Sequence, residues 1–386
     1  MALRLSYSAI TAFRHCQQQY KYGYIDRLRP RVEAPPLELG TMLHFYLETY
    51  YKGIRDAVAP YGAHTAAISA MIAKHEPICK LLAQAAMESG ATEEAALYAD
   101  MVHKANVLSD RYYTTRGEHD AGAYQVLYVE EPFEITLSEG VVIAGVIDKV
   151  TRDDLGNISV WEHKSTKDVP PTSHRLRDLQ TLIYAAVAEM LWGLKVESVT
   201  WNYLRTKLPE APKLLKAKTK KAQEAGEHGG LSRDKSADTT WHEYQKAIEQ
   251  LGLEEDDYAD VRERLLTREM EVWYPRYVLP RVADERILFR DMVSSARHVA
   301  KLHQYIERDP NFPVVRNLTR QCDWCGFNKL CTAAITGGYE QHERERWFVI
   351  KPASTCKKEE DEDERERQQL LNATYGSAAA DVDATS

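Results

Sequence analysis

At 386 residues, 44% of them hydrophobic and 28% charged, the chain can bury a substantial core as one large or two modest domains. A formal net charge of −8 counts against a protein that coats nucleic acid nonspecifically, but four Lys/Arg against nine Asp/Glu in 357–386 supply −5 of it, leaving −3 elsewhere, and a local basic groove suffices for DNA. No run approaches the ~18 apolar residues of a membrane span and MALRLSYSAI lacks a signal-peptide layout, so a cytoplasmic protein with no membrane partner is expected.

Ser6 or Ser8 can cap a first helix running through AITAFRHCQQQYKYGY, in which Phe13, Cys16 and Tyr20 share a face. A basic, Pro-rich connector, RLRPRVEAPP, follows. Gly40 to Tyr51 opens a second helix with an apolar stripe of Leu43, Leu47 and Tyr50, and His44 lies beside that stripe with Glu48 one turn on. A lone helical histidine is more often packed or solvated than a ligand. Residues 63–115 read as Ala-rich helices without chemistry, and YQVLYVEEPFEITL alternates as a strand on which Glu130 or Glu131 could near a site, though exposed strand glutamates are the commoner case.

Val141 to Lys164 is the stretch around which the chain is organised. Two apolar runs, VVIAGVIDKV and ISVWEHK, flank the turn RDDLGN and predict an antiparallel hairpin. Alternation puts Glu162 and Lys164 on one face and His163 on the other, so Asp148, Glu162 and Lys164 converge at one end. Buried ionised groups need partners. Asp148, Glu162 and the His163 carbonyl offer hard oxygen ligands for Mg²⁺ or Mn²⁺, and Lys164 can orient an attacking water or stabilise a phosphorane-like transition state. The alternative is an amphipathic hairpin with a surface Asp and a Glu/Lys pair.

A polar loop, STKDVPPTSHRLRD, leads to the helix LQTLIYAAVAEMLWG, where Gln180 and Tyr184 stand one turn apart on one face. They could reach a substrate strand or the lysine, or sit simply at a helix edge. VESVTWNYLRTK is then a strand parallel to its predecessor. Lys207, Lys213, Lys216, Lys218, Lys220 and Lys221 mark either a solvated loop or an arm contacting phosphates, and EHGGLSRDKSADTT reads as disordered or hinge-like. Residues 241–268 are helical and polar; a strand and long helix follow, with Arg276 and Arg281 as candidate DNA contacts.

Cys322, Cys325 and Cys331 form C-x2-C-x5-C, which without a secretion signal favours metal over disulfides. Four thiolates would suit a [4Fe–4S] cluster or Zn²⁺. Cys79 reads as a buried helical cysteine and Cys356 as a tail cysteine, in a segment from Thr355 onward expected to be disordered.

In this order the motifs resemble those of the PD-(D/E)xK nucleases, RecB-like branch. GVID, EHK and the pair Gln180 and Tyr184 resemble motifs II, III and IV; LSYSAITAFRHCQQQYKYGYI and GTMLHFYLETYY resemble the N-terminal cysteine helix and the metal-binding histidine helix; CDWCGFNKLC resembles the C-terminal cysteines of the iron–sulfur members, which include AddB and the CRISPR-adaptation nucleases. The resemblance covers most of residues 5–335. It implies an α/β, restriction-endonuclease-like mixed sheet flanked by helices, with a helical insertion and a terminal region stapled by four cysteines. It further implies a Mg²⁺- or Mn²⁺-dependent DNA exonuclease in which His44, Asp148, Glu162 and the His163 carbonyl hold metal, Lys164, Gln180 and Tyr184 act on the substrate, and Cys16 joins Cys322, Cys325 and Cys331 around a [4Fe–4S] cluster, with zinc as the alternative. Bridging Cys16 to Cys322 would close a very long loop and shape a passage for single-stranded DNA.

The expected organisation is one nuclease unit over 1–350, with N-terminal helices to 60, a helical insertion over 61–120, a catalytic core over 121–206, a basic flexible loop over 207–240 and a helical cysteine-bearing region to 350; 351–386 is an acidic tail. Single-stranded DNA or DNA ends are the expected partner, with a helicase or recombination protein in a bacterial or phage-infected cell, in recombination, repair, CRISPR adaptation or phage DNA metabolism. No G-x4-GK-[ST] loop marks a fused helicase. The rival readings are a noncatalytic DNA-binding iron–sulfur subunit of a helicase–nuclease complex and a redox protein using the cluster.

Overall fold

The computed structural model describes residues 3–350 apart from 32–33, 89, 138–139, 176–177, 218, 221–223, 225–227, 236, 282–285 and 310, and the side chains of 179 and 286–289. The acidic tail, Cys356, Lys218 and Lys221 therefore lie outside the described residues. In chain order come β1 (Leu3–Leu5), α1 (Tyr7–His15), α2 (Gln17–Tyr20), β2 (Leu28–Pro30), α3 (Pro35–Arg55), α4 (Pro60–Glu88), α5 (Thr92–Tyr112), α6 (Glu118–Ala123), β3 (Tyr124–Leu137), β4 (Val141–Asp153) and β5 (Ile158–Thr166). Then follow α7 (Thr172–Arg175), α8 (Leu179–Trp192), β6 (Val196–Arg205), β7 (Leu214–Lys216), β8 (His228–Leu231), α9 (Trp241–Leu251), α10 (Ala259–Arg268), β9 (Arg276–Pro280), α11 (Arg286–Arg308), α12 (Asn328–Thr336), α13 (Glu340–Trp347) and β10 (Phe348–Ile350).

The expected mixed sheet flanked by helices is present. Six strands run in the order β1-β4-β5-β6-β9 with β3 also on β4. The hairpin β4–β5 is antiparallel, and β6 returns parallel to β5 after the α8 crossover. Its turn is held locally: Asp153 Oδ1 accepts from Leu155 and Asn157 N–H at 3.0 and 2.8 Å, and Gly156 takes φ +86°. One core joins α1, α8 and α11 to the sheet through residues such as Ile10, Ile147, Val187 and Val299; a second joins α3, α4 and α5 through Leu43, Tyr46, Met71 and Tyr98. Among the described residues no helix is long and apolar enough to cross a membrane.

Three expectations change. The first helix does not run unbroken through Cys16, which is extended at φ −162° and separates α1 from α2, so Phe13, Cys16 and Tyr20 do not form one helical face. Residues 228–231 form a strand rather than a disordered hinge, because Leu231 has a core to enter, made with Trp241, Tyr244, Ile248, Tyr258, Val261 and Leu265. Arg276 is engaged within the protein: its side chain is 10% exposed and makes two 2.7 Å hydrogen bonds to Asp120, while Arg281 pairs with Glu189 at 2.8 Å.

Candidate metal centre and catalytic hairpin

One edge of β4 is shared. It pairs with β1 over Val141–Ile143 and with β5 over Lys149–Arg152, so a fork opens between them at 144–148. Asp148 stands at the mouth of this fork. Its Oδ2 accepts the His163 N–H at 2.7 Å, taking the place of the next ladder bond. Across the other edge, Glu130 falls between the pairs Val129↔Lys149 and Glu131↔Ile147 with φ +49°. A non-glycine residue there costs roughly 1–2 kcal/mol, a strain found where geometry serves a site. His44 comes from α3, and one ligand atom from each of His44, Glu130 and Asp148 lies within 4.8 Å of the others.

The G-x3-H spacing has a steric cause. A Cβ on Gly40 would stand 2.9 Å from Ser165 Oγ, so the bare backbone lets α3 lie close against β5 one turn before His44.

Glu162 is 1% exposed; one carboxylate oxygen pairs with Lys164, and the other is buried with no hydrogen-bond partner. Lys164 Nζ also donates to Gln180 Oε1 at 3.2 Å, and Gln180 Nε2 donates to the Tyr184 hydroxyl at 2.8 Å. Asp178 caps α8, accepting the Gln180 N–H at 2.7 Å, and so fixes the turn that aims Gln180.

Burial, then the Asp148 charge, pushes Glu162 up to about 8 despite Lys164. Burial pulls Lys164 down, yet its pairing with Glu162 wins and holds the ammonium above its ordinary range. His44 is lowered by burial, which outweighs Glu130, so its imidazole is neutral and able to ligate. Two carboxylates this close in low dielectric ionise together only with a compensating cation between them. The donor set, neutral imidazole and carboxylate oxygens with one oxygen orphaned, fits Mg²⁺ or Mn²⁺.

Behind the hairpin lies a polar layer. The His163 ring stacks on Tyr51 at 5.8 Å, and its Nδ1 meets Asn202 Nδ2 at 2.9 Å. Asn202 also donates to Tyr112 at 3.0 Å, Tyr112 contacts Tyr51 at 2.7 Å, and Tyr51 donates to Asp120 at 2.8 Å. Lys149 Nζ sits 3.5 Å from the centroids of both Tyr51 and Trp161. The His163 carbonyl accepts a hydrogen bond from the His44 ring, so this layer fixes the strand segment from which Glu162 and Lys164 project.

The structure thus brings Asp148 and His44 together, sets Glu162, Lys164, Gln180 and Tyr184 in one hydrogen-bonded chain, and puts the His163 carbonyl against the His44 ring. Glu130, of the two strand glutamates named from the sequence, is the one placed beside His44 and Asp148; strand alternation could not choose it over Glu131, because its positive φ interrupts the pleat. Asp178 had no sequence signal beyond a capping residue before a helix.

Cys16, Cys322, Cys325 and Cys331, separated by some 300 residues of chain, line one cavity of about 100 Å³. Cys325 is raised by burial and by the three other sulfurs, and Arg316 hydrogen-bonds Cys331. Tyr22 and Leu28 join Leu330 and Phe348 in a small core, and β2 pairs with β10, so both ends of the described chain support this corner.

An α/β sheet that gathers carboxylates, an imidazole and a half-buried lysine at the fork of a hairpin is an arrangement that could hold a divalent cation beside a positive donor. A model of the PD-(D/E)XK nuclease superfamily matches residues 4–332, most of the chain, and the protein belongs to that superfamily. No curated protein matches it. Membership makes the chain a nuclease of a family that uses divalent metals and acts on DNA.

Proposed function

We propose that the protein is a Mg²⁺- or Mn²⁺-dependent DNA exonuclease of the RecB-like iron–sulfur branch, acting on single-stranded DNA or DNA ends in recombination, repair, CRISPR adaptation or phage DNA metabolism, alongside a helicase or recombination partner. The observation that carries this reading is the meeting of Asp148, Glu162 and Lys164 at the mouth of the β4 fork, with His44 and Glu130 beside them. His44, Glu130 and Asp148 would hold a metal, with Glu162 and the His163 carbonyl completing the set. When bound, the ion lowers the pKa of a coordinated water and neutralises charge on the scissile phosphate.

The chain's own groups do the rest. Lys164, kept charged by Glu162, acts as a donor: it orients the attacking water or neutralises a phosphate oxygen as charge develops. Gln180 and Tyr184 fix the direction of that ammonium and present an amide and a hydroxyl to the strand. The shared cysteine cavity supports a metal centre on Cys16, Cys322, Cys325 and Cys331, read as [4Fe–4S], with zinc the alternative.

The test is digestion of end-labelled single-stranded DNA with Mg²⁺ or Mn²⁺, with Lys164→Ala as the control. Stepwise release of nucleotides by the wild type and its loss in the variant are expected; a variant as active as wild type removes the reading. Anaerobic purification followed by iron, sulfide and zinc analysis decides the cysteine centre, which fails if Cys331→Ser leaves the metal content unchanged.

A further inference from the structure

A groove of about 640 Å³ leads from Lys164 and Gln180 toward the cysteine corner. One wall is Tyr7, Thr11 and His15, at i+4 spacing along α1, with Gln19 added from α2 beyond the break at Cys16. The other wall is the segment from Gly23 to Pro30, with Tyr24 and Arg29, closed by Phe327. His15, Gln19 and Phe327 line this groove and the cysteine cavity alike, and Cys16 lies between the first two.

The chemistry of these walls is specific. In a chain with 58 Asp and Glu, none is among the described residues lining the groove, whereas Lys164, Arg29 and His15 are. Neither Arg29 nor His15 has an ion-pair partner among the described residues. Tyr24 is 39% exposed, and its ring rests on Tyr20 at 5.3 Å, 15° from parallel, which holds it as a platform. Cations that track phosphates and exposed aromatic faces that stack unpaired bases are the two parts of a single-strand site; duplex DNA hides its base faces.

We propose that this groove seats the single-stranded segment of the substrate beside the scissile phosphate, with Tyr24 stacking a base and Arg29 and His15 contacting phosphates. This rests on the nuclease reading for the reaction, but binding can be read without cleavage.

The experiment is fluorescence anisotropy of a labelled oligothymidylate with the full chain in EDTA, against the matching duplex. Tyr24→Ala and Arg29→Ala should each weaken binding about tenfold, Arg29→Ala should lower the slope of log affinity against log salt by about 1, and Tyr24→Phe, which keeps the ring, should bind as wild type. In metal the same two alanine variants should raise KM for the single strand rather than lower kcat. Lys80→Ala, exposed on α4, serves as the control. Wild-type affinity in both alanine variants, or duplex bound as tightly as single strand, overturns the proposal. Selective single-strand binding lost in these variants, in a protein that digests no DNA, would uphold the groove and remove the nuclease reading instead.

Discussion

Glu162→Gln should leave the metal-free protein more stable and the enzyme inactive. The unfolded chain releases the Glu162 proton near 4.5 and the folded chain near 8, so between these values the folded state binds more protons. Stability therefore falls as pH rises through that window and is recovered below it. At about 1.4 kcal/mol per pH unit the cost near pH 7 is up to about 3 kcal/mol. Lys164 offsets part of this; its side chain is 37% exposed and also bonded to Gln180, so it tolerates losing the Glu162 charge. Glutamine keeps an acceptor for Lys164 without a charge to desolvate. Urea unfolding in EDTA near pH 5 and pH 8 should show the wild type losing stability with pH and the variant losing less, while added Mn²⁺ stabilises the wild type and not the variant. Activity should fall about a hundredfold or more, as metal-held charge stabilisation is worth several kcal/mol. A variant less stable than wild type in EDTA near pH 8 would refute the idea that this carboxylate is held at a cost until a cation arrives.

Glu130→Gly should relieve the left-handed strain and raise unfolding stability by about 1 kcal/mol while weakening Mn²⁺ binding at least tenfold by calorimetry; unchanged metal affinity would remove Glu130 from the site. Gly40→Ala should lower activity by crowding Ser165, and Ser165→Ala in the same chain should restore it; additive losses in the double variant would refute the close-approach argument. Arg276→Ala should destabilise by roughly 3–5 kcal/mol, since it strands the Asp120 carboxylate, 1% exposed, and a urea midpoint near wild type would contradict this.

The sheet and its hairpin were legible because period-two alternation, an Asp-Gly-Asn turn and a capped Ala-rich helix all agree locally. Alternation put Glu162 and Lys164 on one face near Asp148, and the resemblance decided between a site and an amphipathic surface hairpin. His44 was legible only by resemblance, since its partners lie far away in sequence and the close approach at Gly40 is a tertiary fact. Glu130 was named beside Glu131 but weighed as an exposed strand glutamate, because the backbone conformation that sets it beside His44 and Asp148 follows from no composition rule. The break at Cys16 was hidden for a similar reason: polar, helix-forming neighbours favour an unbroken helix, and the long-range cysteine cavity does not appear in local propensity. Arg276 misled because a basic residue on an edge strand looks solvent-facing until Asp120 is brought to it by α6.

The polar layer behind His163 also bears on how such a chain can drift. Tyr51, Tyr112, Asp120, Asn202 and Arg276 come from five separate elements and satisfy one another's donors and acceptors away from water. A lone replacement at any of them leaves a neighbour unmatched, at a cost of about 1–3 kcal/mol for the neutral members and more within the Asp120–Arg276 ion pair. Neutral divergence at these five positions should therefore proceed by concerted exchanges, so that the set is inherited as a block even in relatives whose outer surfaces have been rewritten.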